Sequence, residues 1–93
     1  MEQDRILIVD DQEYNIQAIK IILQYSLGLN TEDLIDKAND GLQALELVKK
    51  NLEENSNSRC DYTLILMDCN MPFMDGYEAT SQIRQAISQA ELP

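Results

Sequence analysis

Two short apolar runs, each ended by carboxylates, organise the polarity pattern of this chain. The first run, Ile6–Val9, leads directly into Asp10 and Asp11, and the second, Leu64–Met67, leads directly into Asp68. A run that is apolar at every position, without alternation, is typical of a strand covered on both faces, as in a parallel sheet between helices. The pattern therefore predicts two buried strands that both end at acidic residues.

Strands and helices alternate along the rest of the chain. In order, the pattern predicts strand 5–10, helix 15–27 ended by Gly28, loop 29–33, strand 34–38, a helix after the turn at 39–41, strand 62–68, and helix 77–90. Apolar residues three and four positions apart give each helix one stripe that we expect to be buried. The expected stripes are Ile16, Ile19, Leu23 and Leu27; then Leu42, Leu45, Val48 and Leu52; then Ala79, Ile83, Ala86 or Ile87, and Ala90.

This β-α-β-α-β-α order predicts an α/β fold: a doubly wound parallel sheet with right-handed crossovers and helices on both faces. The strand 34–38 contains Asp36 and Lys37, which suit a sheet edge better than its centre. We treat residues 1–93 as one small domain.

In such sheets the ligand site lies beyond the carboxyl ends of the strands. If the strands 5–10 and 62–68 are neighbours, Asp10, Asp11 and Asp68 converge on one crevice. Three carboxylates that close repel one another unless a cation lies among them. The sequence therefore predicts a divalent-metal pocket in which one carboxylate remains available for chemistry.

Composition removes several other classes of function. The net charge of -10 argues against direct binding of nucleic acid, and no apolar run exceeds four residues, which excludes a membrane span. Histidine is absent, so Ser-His-Asp and Cys-His catalysis and a phosphohistidine within this chain are excluded. Cys60 and Cys69 flank a predicted strand and lie too far apart for a disulfide, which favours reduced thiols in a reducing compartment.

Three ordered motifs carry a family resemblance. They are Ile6-Leu7-Ile8-Val9-Asp10-Asp11, then Ala38-Asn39-Asp40-Gly41 with Ala44-Leu45, then Met67-Asp68-Cys69-Asn70-Met71-Pro72-Phe73-Met74-Asp75-Gly76. In this order and spacing the chain, from residue 4 onward, resembles the receiver domain of two-component response regulators and hybrid histidine kinases.

The resemblance implies a function in signalling rather than turnover catalysis. By this likeness Asp68 takes a phosphoryl group from a phosphohistidine on a histidine kinase or a histidine phosphotransfer protein, and signals to an output domain or protein. The resemblance also implies that Asp10 and Asp11 would hold Mg²⁺ together with the Asp68 carboxylate and the backbone carbonyl of Asn70. The family fold is a flavodoxin-like five-stranded parallel sheet in the order 2-1-3-4-5. For this chain we expect a cytoplasmic location, either free or as the cytoplasmic part of a larger membrane-bound hybrid kinase.

The chain also departs from the family pattern. It corresponds to the first three strands and helices of the fold, so the family's switch Ser or Thr after strand four and its Lys after strand five have no counterpart. We therefore expect the N-terminal portion of a longer receiver-containing protein, marginally stable and poorly phosphorylated by itself, with the strand 62–68 as an open edge. The alternative is a receiver-like protein-interaction module that does not turn over phosphate.

Other carboxylates and motifs have plainer interpretations. Asp75 suits the N-cap of the last helix better than a metal ligand, and Asn39 and Asp40 suit turn chemistry. Pro72 and Gly76 are expected to fix the loop after Asp68, Pro through its restricted φ and Gly through its freedom at positive φ. The spacings of an EF-hand and of a Gly-rich phosphate loop are absent.

Overall fold

The computed structural model describes residues 4–29, 31–69, 71 and 74–90, and it contains a parallel sheet with helices on both faces. Its elements are β1 (Arg5–Val9), α1 (Glu13–Leu27), α2 (Thr31–Leu34), β2 (Ile35–Ala38), α3 (Gly41–Glu54), β3 (Tyr62–Met67) and α4 (Gly76–Gln89). Every strand and every long helix predicted from the pattern is present, with ends that differ by one or two residues.

The three strands are parallel and lie in the order β2-β1-β3. Strand β1 is central, with Val9 opposite Ala38 on one side and Met67 on the other. The two strands that end at carboxylates are therefore neighbours, as predicted, and β2 lies at an edge, as its two charged residues indicated.

Two hydrophobic clusters form because successive side chains of a strand point to opposite faces. Leu7 and Val9 face α3 and α4, whereas Ile6 and Ile8 face α1. The first cluster is completed by Ala38, Ala44, Leu45, Val48, Leu52, Met71 and Ile83, and the second by Ile16, Leu23 and Ile35. The prediction that the first apolar run is covered on both faces is thus confirmed.

The second apolar run is covered less completely than its sequence indicates. Strand β3 lies at the other edge of the described sheet, and Thr63 and Leu64 are exposed there, Leu64 by 44%. An unbroken apolar run predicts burial only when helices cover both faces along its whole length, and this condition fails at the start of β3. The expected open edge at 62–68 is present in the described part of the chain.

Two residues of the predicted apolar stripes are exposed, so the prediction that they are buried is wrong. Leu27 is 65% exposed because α1 is about 22 Å long whereas β1 is about 17 Å, so the last turn of α1 extends past the sheet. Leu42 is 49% exposed because it lies at the margin of the stripe that Gly41, Leu45 and Val48 form. Ala44 is buried in its place.

One short element was not predicted. The expected loop at 29–33 contains the single helical turn α2, and β2 begins at Ile35 rather than at residue 34. Four residues are too few to show a helical period, so the apolar pattern could not reveal this turn.

Within the described ranges no helix is both long enough and apolar enough to cross a membrane.

A candidate metal site at the carboxyl end of the sheet

Three carboxylates meet where β1 and β3 end. Each of Asp10, Asp11 and Asp68 offers one oxygen, and the three oxygens lie within 4.8 Å of one another. The convergence predicted from the sequence is therefore confirmed as geometry.

The sheet itself holds two of these residues in place. The Asp68 amide donates to the carbonyl of Val9 at 2.9 Å, and the Asp10 amide donates to the carbonyl of Ala38 at 3.1 Å. Both residues thus continue the hydrogen bonding of the parallel ladder one step beyond the strands. Their backbone positions are consequently set by the sheet rather than by the loops that follow.

Asp10 is held by its side chain as well. It is only 7% exposed, and its Oδ1 accepts hydrogen bonds from the Gln12 amide at 2.9 Å and from Asn15 Nδ2 at 3.4 Å. These donors lie at the start of α1, where the Gln12 side chain makes no capping hydrogen bond of its own. The Asp10 carboxylate therefore binds backbone and side-chain donors at the start of α1 and also faces the acidic cluster. Sequence reasoning did not identify Gln12 and Asn15, although an Asp side chain commonly accepts from the amide two residues later in a turn, as Asp10 does from Gln12.

The chemistry of this donor set fits a hard divalent cation. Three carboxylates at this separation repel one another, and burying Asp10 removes part of its hydration. Mg²⁺ binds through one or two carboxylates, keeps several waters, and leaves room for phosphate oxygens. Asp10, Asp11 and Asp68 can hold such an ion, and one of the three can still act on a substrate.

Gly76 brings the start of α4 against the acidic site. A Cβ atom at Gly76 would overlap the Asp68 carbonyl oxygen and lie 2.8 Å from the Cα of Cys69. The Gly76 amide also donates to the Cys69 carbonyl at 3.3 Å. The expectation that this glycine is needed for positive φ is wrong: among the described glycines only Gly28, at the end of α1, has positive φ. Gly76 is required because two segments of backbone approach closely.

The other predicted positions near the site have simpler roles. The Asp75 side chain caps α4 by accepting from the Glu78 amide at 2.9 Å, as expected, and Asp40 caps α3 in the same way, accepting from the Gln43 amide at 2.7 Å. Asn70 and Pro72 lie outside the described residues.

Both cysteines are free thiols, as predicted. Burial raises the pKa of the Cys60 thiol, whereas Cys69 is exposed and hydrogen-bonds to Tyr77, which raises the pKa of the Tyr77 phenol. The burial of Cys60 therefore favours an unreactive thiol at that position.

A second polar cluster occupies the opposite end of the sheet. Arg5 donates to both carboxylate oxygens of Asp36, at 2.7 and 3.0 Å, and the Tyr62 hydroxyl donates to Asp36 at 2.7 Å. The hydrogen bond from Arg5 lowers the pKa of the Asp36 carboxyl, and burial together with the bond to Asp36 raises the pKa of Tyr62. One residue from each strand takes part, so this cluster ties the sheet together, and no sequence motif pointed to it.

Comparison with protein families identifies residues 6–92 as a match to the response regulator receiver domain. A hybrid signal transduction histidine kinase B from Dictyostelium discoideum is 38% identical over 82 residues, which are 88% of this chain and 4% of that protein. The two-component response regulator ORR41 from Oryza sativa subsp. japonica is 36% identical over 80 residues, 86% of this chain and 55% of that regulator.

Solved structures give the same result for the fold. The receiver domain of the histidine kinase CKI1 from Arabidopsis thaliana, complexed with Mg²⁺, superimposes with a TM-score of 0.80 at 31% identity. The alignment covers all of this chain and 64% of that one. The chain therefore spans less than two thirds of the length of these receivers.

Proposed function

This chain belongs to the response regulator receiver domain family, and on that premise we propose that Asp68 accepts a phosphoryl group from a phosphohistidine of a partner protein in a Mg²⁺-dependent reaction. The family is one of signalling domains, not of turnover enzymes. The observation that carries the proposal is the approach of the Asp10, Asp11 and Asp68 oxygens to within 4.8 Å of one another.

The proposed reaction is a nucleophilic displacement at phosphorus. An oxygen of the Asp68 carboxylate attacks, an O–P bond forms, the P–N bond to the partner's imidazole breaks, and the electron pair leaves with the ring nitrogen. The acceptor is well placed for this attack because Asp68 follows a strand whose ladder fixes its backbone. Positioning of this kind supplies much of the rate in phosphoryl transfer.

Asp10 and Asp11 have a different part in the proposal. They and Asp68 would hold the metal, which when bound offsets the repulsion between the carboxylate and the incoming phosphoryl oxygens. The Gln12 and Asn15 contacts keep the Asp10 carboxylate from turning away, so its orientation is set before any ion binds. In support, the CKI1 receiver domain has been solved with Mg²⁺, and the acidic residues of this chain are of the type that Mg²⁺ prefers.

The partner class follows from what this chain lacks. It contains no histidine, so the phosphohistidine must belong to another protein or domain. Its relatives include a hybrid signal transduction histidine kinase and a two-component response regulator, and we propose a histidine kinase or a histidine phosphotransfer protein as the donor. The two free thiols suit a reducing compartment, so we place the reaction in the cytoplasm.

Labelling with a small phosphodonor tests the proposal directly. Incubation with phosphoramidate and Mg²⁺ should add one phosphoryl group, detected as a mass increase, and a chelator should abolish the addition. The substitution Asp68→Asn should also abolish it, whereas Asp75→Asn, which keeps an N-cap acceptor on a nearby residue, should not.

Two results would contradict the proposal. Labelling that survives in Asp68→Asn would place the acceptor elsewhere. A folded, Mg²⁺-binding wild-type protein that takes no label from either phosphoramidate or a phosphorylated histidine phosphotransfer protein would instead favour the alternative, a receiver-like interaction module.

A further inference from the structure

The two oxygens of the Asp10 carboxylate have different surroundings. Among the described residues, the donors that reach this side chain are the Gln12 amide, at 2.9 Å, and Asn15 Nδ2, at 3.4 Å, and both reach Oδ1. A carboxylate has about four lone-pair sites, two on each oxygen, so these two donors occupy Oδ1. Because Asp10 is buried, water has little access to compete with them. Oδ2 is therefore the oxygen that Asp10 can offer to a ligand.

The start of α1 does not by itself require the side chain of Asn15. A turn that begins at an Asp side chain needs only the amide two residues later, and Gln12 supplies that amide. The backbone amide of Asn15 donates to the Gln12 carbonyl at 3.0 Å, which fixes Asn15 in the first turn of the helix. From this fixed position the Asn15 side chain adds a second donor to an oxygen that the turn already uses.

Both donors to Asp10 are neutral amides. They orient the carboxylate without cancelling its charge, so that charge stays available to a cation among the three acids of the site. The acid at the first position of α1 has a different kind of partner, because Lys37 Nζ donates to Glu13 at 2.7 Å. An amide at position 15 thus fixes the direction of the Asp10 carboxylate and leaves its charge to the ligand.

The number of oxygens that a carboxylate offers distinguishes two common divalent cations. Ca²⁺ takes about six to eight oxygen ligands and binds many carboxylates through both oxygens. Mg²⁺ requires a regular octahedron, keeps several waters, and is satisfied by one or two carboxylates. A carboxylate restricted to one oxygen therefore suits Mg²⁺, whereas Ca²⁺ loses one of its usual binding modes.

We propose that Asn15 is a positioning residue that sets the cation preference of the acidic site. Together with the Gln12 amide it holds Asp10 Oδ1, restricts Asp10 to one ligating oxygen, and so favours Mg²⁺ over Ca²⁺. Asn15 acts through Asp10 and not as a ligand. The inference rests on the metal site of the proposed function, and it does not depend on phosphoryl transfer to Asp68.

Separate titrations with Mg²⁺ and with Ca²⁺, followed by backbone amide NMR shifts, test the proposal. Asn15→Ala removes the second donor, and it should weaken Mg²⁺ binding by about tenfold while it changes Ca²⁺ binding by less than about threefold. The ratio of the Ca²⁺ to the Mg²⁺ dissociation constant should therefore fall by about threefold or more. Asn15→Asp, which has the same shape and puts an acceptor in place of the donor, should lower this ratio as well.

Gln17→Ala is the matched control. It also removes a side-chain amide of α1 that donates to a carboxylate, but that carboxylate is Glu13, at 2.9 Å, and not Asp10. Both dissociation constants should stay unchanged in this variant. Urea unfolding in the presence of a chelator checks that each variant keeps its fold without metal.

Three results would overturn the proposal while leaving the metal site intact. Equal weakening of both cations in the Asn15 variants would assign Asn15 a purely structural role. Unchanged constants would show that the contact with Asp10 does not matter, and the same change in Gln17→Ala would trace the effect to α1 as a whole. Binding of neither cation by the folded wild-type protein would instead contradict the metal site of the proposed function, and this inference with it.

Discussion

The Asp10 side chain contacts the start of α1 and also belongs to the acidic cluster. Its Oδ1 accepts from the Gln12 amide and from Asn15 at the start of α1, and the same carboxylate belongs to the acidic cluster. Replacing it with alanine would therefore disturb the helix start as well as the cluster. Asn is the informative substitution, because it has the same shape and keeps one acceptor oxygen for the helix start, while it removes the charge and one metal-ligating oxygen.

Gly76→Ala should destabilise the protein by about 2 kcal/mol or more, because the new Cβ would overlap the Asp68 carbonyl oxygen and crowd the Cα of Cys69. Gly28→Ala is the comparison: nothing lies within 4 Å of its Cβ, and its φ of 67° alone should cost about 1 kcal/mol. Urea unfolding of the two variants measures both costs. Equal losses would show that close approach at Gly76 does not matter.

The sequence predicted the three carboxylates of the site better than it predicted the contacts that hold them in position. The carboxylates after two apolar runs were sufficient to locate Asp10, Asp11 and Asp68, because parallel neighbouring strands deliver their ends to one edge. The Gly76 approach could not be derived in this way, since it depends on how the loop after Asp68 folds back. Asn70 remains a prediction, as do the roles assigned to the three carboxylates.

At the scale of elements, the three strands are tied at both ends. The carboxyl end is fixed by amide hydrogen bonds of Asp68 and Asp10, and the amino end by the Arg5–Asp36–Tyr62 cluster, to which β1, β2 and β3 each contribute one residue. Because Asp36 is partly exposed, we attribute modest stability to its ion pair with Arg5. The Tyr62 hydroxyl gives a way to test this cluster.

Tyr62→Phe should change how stability depends on alkaline pH. The pKa of Tyr62 in the folded protein is raised by burial and by its bond to Asp36, so its contribution is present below the ordinary value of 10.0 and is lost as pH rises above it. The free energy of unfolding of the wild-type protein should fall above about pH 10, and that of Tyr62→Phe should fall less. At pH 7 the substitution itself should lower the free energy of unfolding by about 1 kcal/mol. Urea unfolding at pH 7 and above about pH 10 measures both effects, with the exposed Tyr25→Phe as control. A fall as steep in Tyr62→Phe as in the wild type would contradict the assignment.

Asp40→Ala should destabilise α3 by about 1 kcal/mol, because the side chain accepts from the Gln43 amide at the first turn. Asp40→Asn should be nearly neutral, since Asn is an equally good N-cap. Thermal unfolding of both variants compares them. If the Asn variant lost as much as the Ala variant, the charge rather than the cap would be responsible.

The apolar repeat predicted the helices correctly where they are several turns long. The stripe of α4 is confirmed, with Ala79 and Ile83 buried and Ala86, Ile87 and Ala90 partly buried. It failed for α2, which has four residues, and for Leu27 and Leu42, whose exposure depends on where the sheet ends and where the stripe centre lies.

At the scale of the whole molecule, the described chain is a receiver with a three-stranded sheet. It matches the receiver family over residues 6–92, and it covers 55% of the two-component response regulator ORR41 and 64% of a solved receiver domain. The activity of a whole regulator or kinase therefore stays a proposal for this chain. The extent of the domain and its marginal stability stay predictions. What the fold does establish is the common edge at which three acidic residues meet.

Titration with Mg²⁺, followed by calorimetry, tests that central claim most directly. We predict that the wild-type chain binds one ion, and that Asp10→Asn, Asp11→Asn and Asp68→Asn each weaken binding by about tenfold or more, or about 1.4 kcal/mol, whereas Asp75→Asn has no effect. Absence of binding by the folded wild-type protein, or equal affinity in all four variants, would contradict the account.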